Sequence, residues 1–524
     1  MVTNPALVNM FCPEPFPEVE ACRVEGRGSQ TIVSDLDGTL LRSRSAFPYF
    51  MLVAFEAGSA LRSILLLLLS PLIWILYNFF SETAGIKMLI FLSCAGLEAS
   101  VIESVARGVL PKFYLEDMHS VSYRVFLSCG KRYVVTANPR IMVEHFLKEH
   151  LDVEAVMGTE LQISQSGYAT GFVTGLGVLV GANKERAVKK YFSDDLPDVA
   201  LGDSVSDYPF MALCKEAYFV PSFKVVTPVP RSAYLKPLIF HDGRLVCRPT
   251  PLVSLVIVLW APIGIVLAIT RMIVATSTPI WLALPINAML GVCVRVKGIP
   301  PTCGQMSGKR GILFVCSHRT LLDPIFLSIA VRRRVTAVTY SISRLSEVLS
   351  PIRTVRLTRC RTTDATTMLK LLEEGDLAVC PEGTTCREPY LLRFSSLFAE
   401  LTDQIVPVTM NIKMTMFHGT TARGWKGLDP FFFLMNPCPK YEVTFLEQLP
   451  PEMTCSSGKS SHDVANYVQR VLAVSLGFQC TDLTRRDKYR VLAGNDGIVP
   501  DPNSKVIRMY GDCICDSVER GSSL

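Results

Sequence analysis

Gln30-Thr31-Ile32-Val33-Ser34-Asp35-Leu36-Asp37-Gly38-Thr39-Leu40 sets a short apolar run directly against two aspartates and a glycine. The β-branched run predicts a buried strand. In an extended chain residues two apart share a face, so Asp35 and Asp37 project together at the strand's carboxyl end. Ligands of open α/β sheets gather at that end. Two adjacent carboxylates repel unless a cation lies between them, which predicts Mg²⁺. One carboxylate can attack phosphorus, and the second can protonate the leaving alkoxide.

Matching pieces follow downstream. Val134-Val135-Thr136-Ala137-Asn138 is a second strand ending in a hydroxyl, and Lys184 stands just before a helical stretch. Ala200-Leu201-Gly202-Asp203-Ser204-Val205-Ser206-Asp207 ends a further strand with two more carboxylates. A hydroxyl donor, a cation for phosphoryl oxygens and extra metal ligands complete a phosphotransfer set. The set resembles the haloacid dehalogenase phosphatase superfamily over roughly residues 30–215. The resemblance implies Asp35 as nucleophile and Asp37 as acid/base. It implies Thr136 and Lys184 on the phosphoryl group, and Asp35, Asp37, Asp203 and Asp207 around Mg²⁺.

The second half carries another strand-end motif. Gly311-Ile312-Leu313-Phe314-Val315-Cys316 runs into Ser317-His318-Arg319-Thr320-Leu321-Leu322-Asp323-Pro324. A tight turn can return Asp323 to the His318 ring, fix its tautomer and stabilise its charged form. No serine or cysteine nucleophile motif accompanies the pair, which favours direct attack of a bound alcohol on an activated acyl group. Thr354-Val355-Arg356-Leu357-Thr358-Arg359 reads as a strand ending in a cation, with Arg356 a weaker candidate than Arg359. Cys380-Pro381-Glu382-Gly383-Thr384-Thr385-Cys386-Arg387 reads as a phosphate-binding loop, and Ile405-Val406-Pro407-Val408 as a buried strand. These blocks resemble the acyltransferases that act on glycerol 3-phosphate and lysophosphatidate, over roughly residues 295–450. The resemblance implies a His318–Asp323 catalytic dyad. It also implies Arg359, Glu382, Gly383, Thr384 and Arg387 as substrate-binding residues, and a fatty acyl-CoA donor.

Composition bears on where such chemistry happens. Of 524 residues, 19% are charged against 49% hydrophobic, which is drier than the roughly 25% charge of ordinary soluble proteins. This excludes a disordered chain and a coiled coil, and it predicts membrane contact. The low charge is concentrated in three windows free of Asp, Glu, Lys and Arg: 63–81, 249–270 and 272–294. Each is just long enough to span a bilayer, which takes about 20 residues. Arg271 separates the second and third, so the pair predicts a re-entrant or spanning hairpin. These windows lack the paired intramembrane charges of a transporter. The formal charge of +6 comes without a basic stripe interleaved with aromatics, so no nucleic-acid partner is expected. Residues Met1–Gly28 hold four prolines and no apolar run, which argues against a secretory signal. The cysteines are scattered without ligand spacing, as in a reducing compartment.

The expected class is α/β: a Rossmann-like haloacid dehalogenase domain with an apolar cap, a membrane-associated hairpin and an α/β glycerolipid acyltransferase domain. The expected boundaries are a tail at 1–27, the phosphatase-like domain at 28–220 and a proline-rich linker at 221–248. Membrane-associated helices follow at 249–294, then the acyltransferase domain at 295–490 and a tail at 491–524. The fusion closely resembles the land-plant glycerol-3-phosphate acyltransferases of cutin and suberin synthesis. Further matching stretches are Phe47–Glu56, Leu391-Leu392-Arg393-Phe394 and Lys488-Tyr489-Arg490-Val491-Leu492-Ala493-Gly494. The resemblance implies acyl transfer to glycerol 3-phosphate, favouring sn-2, followed by dephosphorylation to 2-monoacylglycerol. It also implies an endoplasmic reticulum membrane, with the catalytic domains facing the cytosol. Two other assignments fit the same residues: a lipid phosphate phosphatase with a lipid-binding second domain, or an acyltransferase with a non-catalytic phosphatase-like scaffold.

Overall fold

The computed structural model describes residues 16–193, 195–221, 226–301, 311–340, 347 and 350–497. Most of the expected N-terminal tail (to residue 15) and the end of the C-terminal tail (from residue 498) lie outside that set.

The first half is built on strands β1 (Thr31–Ser34), β2 (Lys131–Pro139), β3 (Ala155–Ile163), β4 (Ala169–Thr174), β5 (Val199–Gly202) and β6 (Glu216–Phe219). They form one sheet of order β4-β3-β2-β1-β5-β6, parallel except at the β3–β4 edge pair. Ile32 and Val33 are fully buried on opposite faces of β1, as expected for a central parallel strand. The chain connects β1 to β2 on one side and pairs it with β5 on the other. The crevice above its carboxyl end is therefore a topological switch point.

Between β1 and β2 runs an all-helical insertion that begins at Phe47 and ends at Ser128. Its Phe47–Val53 helix is wholly buried, which anchors the insertion to the domain. The following Ala60–Phe80 run behaves oppositely. It is apolar and long enough to cross a membrane, yet most of it is not buried, and Leu61, Leu68, Trp74 and Phe80 face outward.

The second half carries β7 (Cys293–Lys297), β8 (Leu313–Cys316), β9 (Thr336–Thr339), β10 (Thr354–Arg356), β11 (Leu377–Val379), β12 (Tyr390–Leu391), β13 (Ile405–Lys413), β14 (Lys440–Phe445) and β15 (Gln479–Cys480). Seven of these make a sheet of order β10-β9-β11-β8-β13-β14-β7, with β8 central and only β13–β14 antiparallel. Leu313 and Val315 pack into the core on one face, and Phe314 and Cys316 into that on the other. The two halves also share a core: Leu245, Ala268, Phe417 and Met435 belong to the apolar cluster that fills the first domain.

The stretch expected as a linker, 221–248, is partly packed into this junction. Phe240, His241, Asp242, Arg244 and Leu245 are all buried there. Asp242 takes Arg387 and Arg423 from the second half, and Arg244 Nη1 lies 2.7 Å from Asp429 Oδ1. On the other side, Glu56 of the first half accepts the backbone N–H of Arg244.

The hairpin is asymmetric. Its first arm, Pro251–Ser277, is one helix of 27 residues that continues through Pro262. At about 1.5 Å per residue it extends about 40 Å, more than the ~30 Å of a hydrocarbon core. The second arm, Ile280–Met289, has 10 residues and cannot cross. Arg271, expected between two apolar arms, lies inside the long helix and is fully buried. Its guanidinium donates to the carbonyls of Leu290, Leu434, Asn436 and Pro437, and Trp260 Nε1 donates to Met435 O at 2.8 Å. One face of the helix is thereby fixed to the second domain. The other, with Leu252, Leu259, Ile263 and Val266, is exposed.

Candidate active sites

At the end of β1 the chain stays extended through Asp35 and then turns sharply at Gly38, with φ +77°. A Cβ at Gly38 would come within 2.3 Å of Asp203 Oδ2, so only glycine lets this turn approach the β5 loop. Asp35, Asp203 and Asp207 are buried together, each with an oxygen within 4.8 Å of the others. Lys184, on the Ala182–Phe192 helix, stands between two of them, 2.7 Å from Asp35 Oδ1 and 2.6 Å from Asp207 Oδ1. Asp207 Oδ2 accepts the N–H groups of Asp203 and Ser204, which stiffens the loop after β5. Asp37 Oδ2 accepts Asn138 Nδ2 at 2.7 Å, while Asp37 Oδ1 is buried with no hydrogen-bond partner among the described residues.

Burial pushes the Asp35 carboxyl well above its usual range, with Lys184 opposing. Burial likewise pushes Asp37 up to about 8, against Lys184 and Asn138. Three crowded carboxylates, Asp35, Asp203 and Asp207, have one buried ammonium that bonds two of them, and an acceptor atom at Asp37 is orphaned. That donor set fits a hard divalent cation such as Mg²⁺. A second cation, Arg44, donates from the rim to Asp203 Oδ2 at 2.5 Å. Neither Arg44 nor Asn138 was expected from the motifs. Thr136 is fully buried and its Oγ1 accepts the N–H of Asn138, so Asn138 rather than Thr136 reaches the aspartates.

The second site lies at the end of β8. His318 Nδ1 is 2.8 Å from Asp323 Oδ2, and Asp323 is the fully buried first residue of the Asp323–Val331 helix. The carboxylate is held by the N–H groups of Arg319 and Thr320 and by the hydroxyl of Tyr441, which comes from β14. With Nδ1 engaged, Nε2 is the ring nitrogen left for chemistry. His318 lines a cavity of about 750 Å³ together with Arg359, Gly383, Thr384 and Lys488.

The expected ligands of this site divide into two groups. Arg359 reaches the cavity from its rim, in a left-handed backbone conformation (φ +71°) held by Asp364, which accepts its N–H at 3.0 Å. Gly383, at φ +65°, makes the turn that places Thr384 on the wall. Glu382 lines the cavity too, but both its oxygens are engaged by backbone: Oε1 by His318 N–H at 2.7 Å and Oε2 by Leu392 N–H at 3.0 Å. Arg387 does not reach the cavity. Its guanidinium turns into the junction between the halves, bonding Thr420, Gly243 O and Asp242.

Fold and sites together define a phosphatase-type α/β domain joined to an HxxxxD acyltransferase domain. A family profile described as the HAD-like domain of RAM2-like glycerol-3-phosphate acyltransferases matches residues 31–220, and an acyltransferase profile matches 294–411. The chain is 59% identical to glycerol-3-phosphate acyltransferase RAM2 of Petunia hybrida, over 88% of this chain and 97% of that one. It is 47% identical to glycerol-3-phosphate acyltransferase 1 of Arabidopsis thaliana, over 90% of this chain and 82% of that one. The chain belongs to the plant glycerol-3-phosphate acyltransferase family.

Proposed function

We propose that the second domain transfers an acyl group from acyl-CoA to glycerol 3-phosphate at sn-2, and that the first domain then removes the phosphate. The product would be 2-monoacylglycerol for cutin or suberin lipids. In the first step His318 Nε2 takes the proton of the acceptor hydroxyl, and that oxygen forms a bond to the thioester carbonyl. The C–S bond breaks, and the leaving thiolate takes the proton back from the imidazolium, which Asp323 stabilises. In the second step a carboxylate oxygen of Asp35 bonds to phosphorus as the P–O bond to glycerol breaks. Asp37, whose protonated form burial favours, gives its proton to the leaving alkoxide, and water then hydrolyses the aspartyl-phosphate. Asp35, Asp203 and Asp207 would hold Mg²⁺, which supplies charge neutralisation to the phosphoryl oxygens. Lys184 sits where it orients the Asp35 carboxylate.

The observation that carries the two-step reading is a pair of side-chain clusters: His318 held by Asp323 on a cavity, and Asp35, Asp203 and Asp207 buried together with Lys184 bonded to two of them. The outward apolar faces of Ala60–Phe80 and Pro251–Ser277 support work at a membrane, for which we propose the endoplasmic reticulum with both sites in the cytosol. Labelled glycerol 3-phosphate and acyl-CoA, with product identification, test the scheme. Wild type should yield monoacylglycerol, Asp35→Asn lysophosphatidic acid, and His318→Ala neither. Lysophosphatidic acid as the sole wild-type product with Mg²⁺ present would refute the phosphatase step.

A further inference from the structure

The cavity beside His318 is strongly and unevenly charged. Arg359, Arg393, Lys426, Arg485 and Lys488 all line it. Of its acids, Glu382 is engaged by two backbone amides and Asp429 by Arg244, which leaves Asp482. The C-terminal helix Arg485–Ala493 brings Arg485, Lys488 and Tyr489 to the cavity, at the i, i+3, i+4 spacing of one helix face. Lys426 Nζ and the Arg485 guanidinium lie 4.8 and 4.9 Å from the Tyr489 ring centre.

Lys488 is the most telling member. It is 6% exposed, and its ammonium donates to Thr385 O at 2.5 Å, Thr385 Oγ1 at 3.2 Å and Thr384 Oγ1 at 3.3 Å. Those partners satisfy its donors but not its charge, and among the described residues it makes no ion pair. A buried ammonium without a counter-charge is unfavourable. Burial accordingly lowers it to about 8. Such a site is completed by an anion.

We propose that Lys488, with Arg485 beside it, anchors the phosphate dianion of the acyl acceptor, and so makes the C-terminal helix the acceptor-selecting element of the acyltransferase. The inference rests on the reading above that this cavity takes glycerol 3-phosphate. Position favours the acceptor over the donor's nucleotide phosphates. Lys488 touches Thr384 and Thr385 in the loop whose Glu382 and Cys386 bond the backbone of His318. The acceptor's phosphate lies a short carbon chain from its reacting hydroxyl, whereas the pantetheine arm separates the donor's phosphates from its carbonyl.

The test compares Lys488→Gln, Lys488→Arg and Arg485→Gln for KM of glycerol 3-phosphate, KM of acyl-CoA and rate on unphosphorylated glycerol. Losing a charge-assisted contact should raise the glycerol 3-phosphate KM about 10- to 100-fold in Lys488→Gln, with partial rescue in Lys488→Arg. The acyl-CoA KM should hold, and the preference for glycerol 3-phosphate over glycerol should collapse. A rise confined to acyl-CoA assigns the cluster to the donor and overturns the proposal. So does an equal loss on both acceptors with a lowered melting temperature, since Lys488 would then only pin its loop. If Lys488→Gln does not fold, Arg485→Gln decides alone: an unchanged glycerol 3-phosphate KM overturns the proposal. Calorimetric titration of glycerol 3-phosphate without donor separates the two readings. Wild-type binding lost in Lys488→Gln supports the anchor even if turnover fails, whereas equal binding by both refutes it.

Discussion

The Glu382 carboxylate accepts the backbone N–H of His318 at 2.7 Å. An acid in a Pro-Glu-Gly-Thr loop would ordinarily be assigned to the ligand, yet this one fixes the backbone of His318 from behind, and its other oxygen holds Leu392. Burial raises its carboxyl, and these amides counter the shift.

Glu382→Gln keeps the shape but offers one acceptor oxygen to two amides, and turns an N–H toward the other. A lost charged hydrogen bond is worth about 1.5–3 kcal/mol. The expected result is a kcat drop of about 10- to 100-fold, with both KM values near wild type. A raised glycerol 3-phosphate KM at unchanged kcat would instead put Glu382 on the substrate.

Acid should weaken the junction between the halves. Burial alone would raise Asp242, but Arg387 and Arg423 outweigh it and hold the carboxyl well below the usual range. Glu388 is held down to about 2, against burial, by His241 and Arg231. Burial pushes His241 down to about 4. All three groups bind more protons unfolded than folded, so stability is lost as pH falls: from about 6.5 for the histidine, and from about 4.5 for the acids. Asp242→Asn leaves two arginines without their acid and should destabilise by about 3–5 kcal/mol at pH 7. It should also flatten the fall of melting temperature below pH 4.5. An unchanged acid slope would show that Asp242 does not carry the effect.

What was legible in the sequence was local. His318 and Asp323 are near neighbours in chain where a strand ends, so a tight turn suffices to bring them together, whereas Asp35 groups with Asp203 and Asp207 and Asp37 bonds Asn138. Their partners arrive from far away. Asn138 meets Asp37 across 101 positions, Tyr441 meets Asp323 across 118, and Lys488 meets Thr384 across 104. The first two meetings depend on strand order, β2 beside β1 and β14 beyond β13, and the third on where the Arg485–Ala493 helix packs, which no single motif encodes. Arg387 shows the reverse failure. Beside a glycine and hydroxyls it reads as an anion ligand, and only the packing of residues 241–244 into the junction supplies it with Asp242 instead. The hairpin misled for a related reason: a lone arginine marks a break in a hydropathy pattern, yet Arg271 is accommodated by carbonyls of the neighbouring domain.

Arg44 should tune metal affinity in the first site. It sits on Asp203 from the rim, with its side chain 48% exposed. A cation there competes electrostatically with a divalent ion, but solvent limits a partly exposed pair to about 1 kcal/mol. Arg44→Gln should therefore lower the Mg²⁺ concentration for half-maximal phosphate release about three- to fivefold. Release is read from lysophosphatidate supplied directly. If more Mg²⁺ is required instead, Arg44 supports the aspartates rather than competing for them.

Arg271 carries the last prediction. It is fully buried in a helix otherwise free of charge, and its guanidinium bridges backbone carbonyls at Leu290, Leu434, Asn436 and Pro437. An ammonium has three donors from one point and cannot reproduce that fork. Arg271→Lys should thus rescue little, and Arg271→Met should leave the carbonyls unpaired at a cost of about 3 kcal/mol or more. The helix would still meet the length and hydrophobicity needed to enter a bilayer. Membrane association should survive in both variants, while melting temperature in detergent and acyl transfer fall together. Detachment from the membrane without loss of stability would mean that Arg271 serves insertion, not the joint between helix and domain.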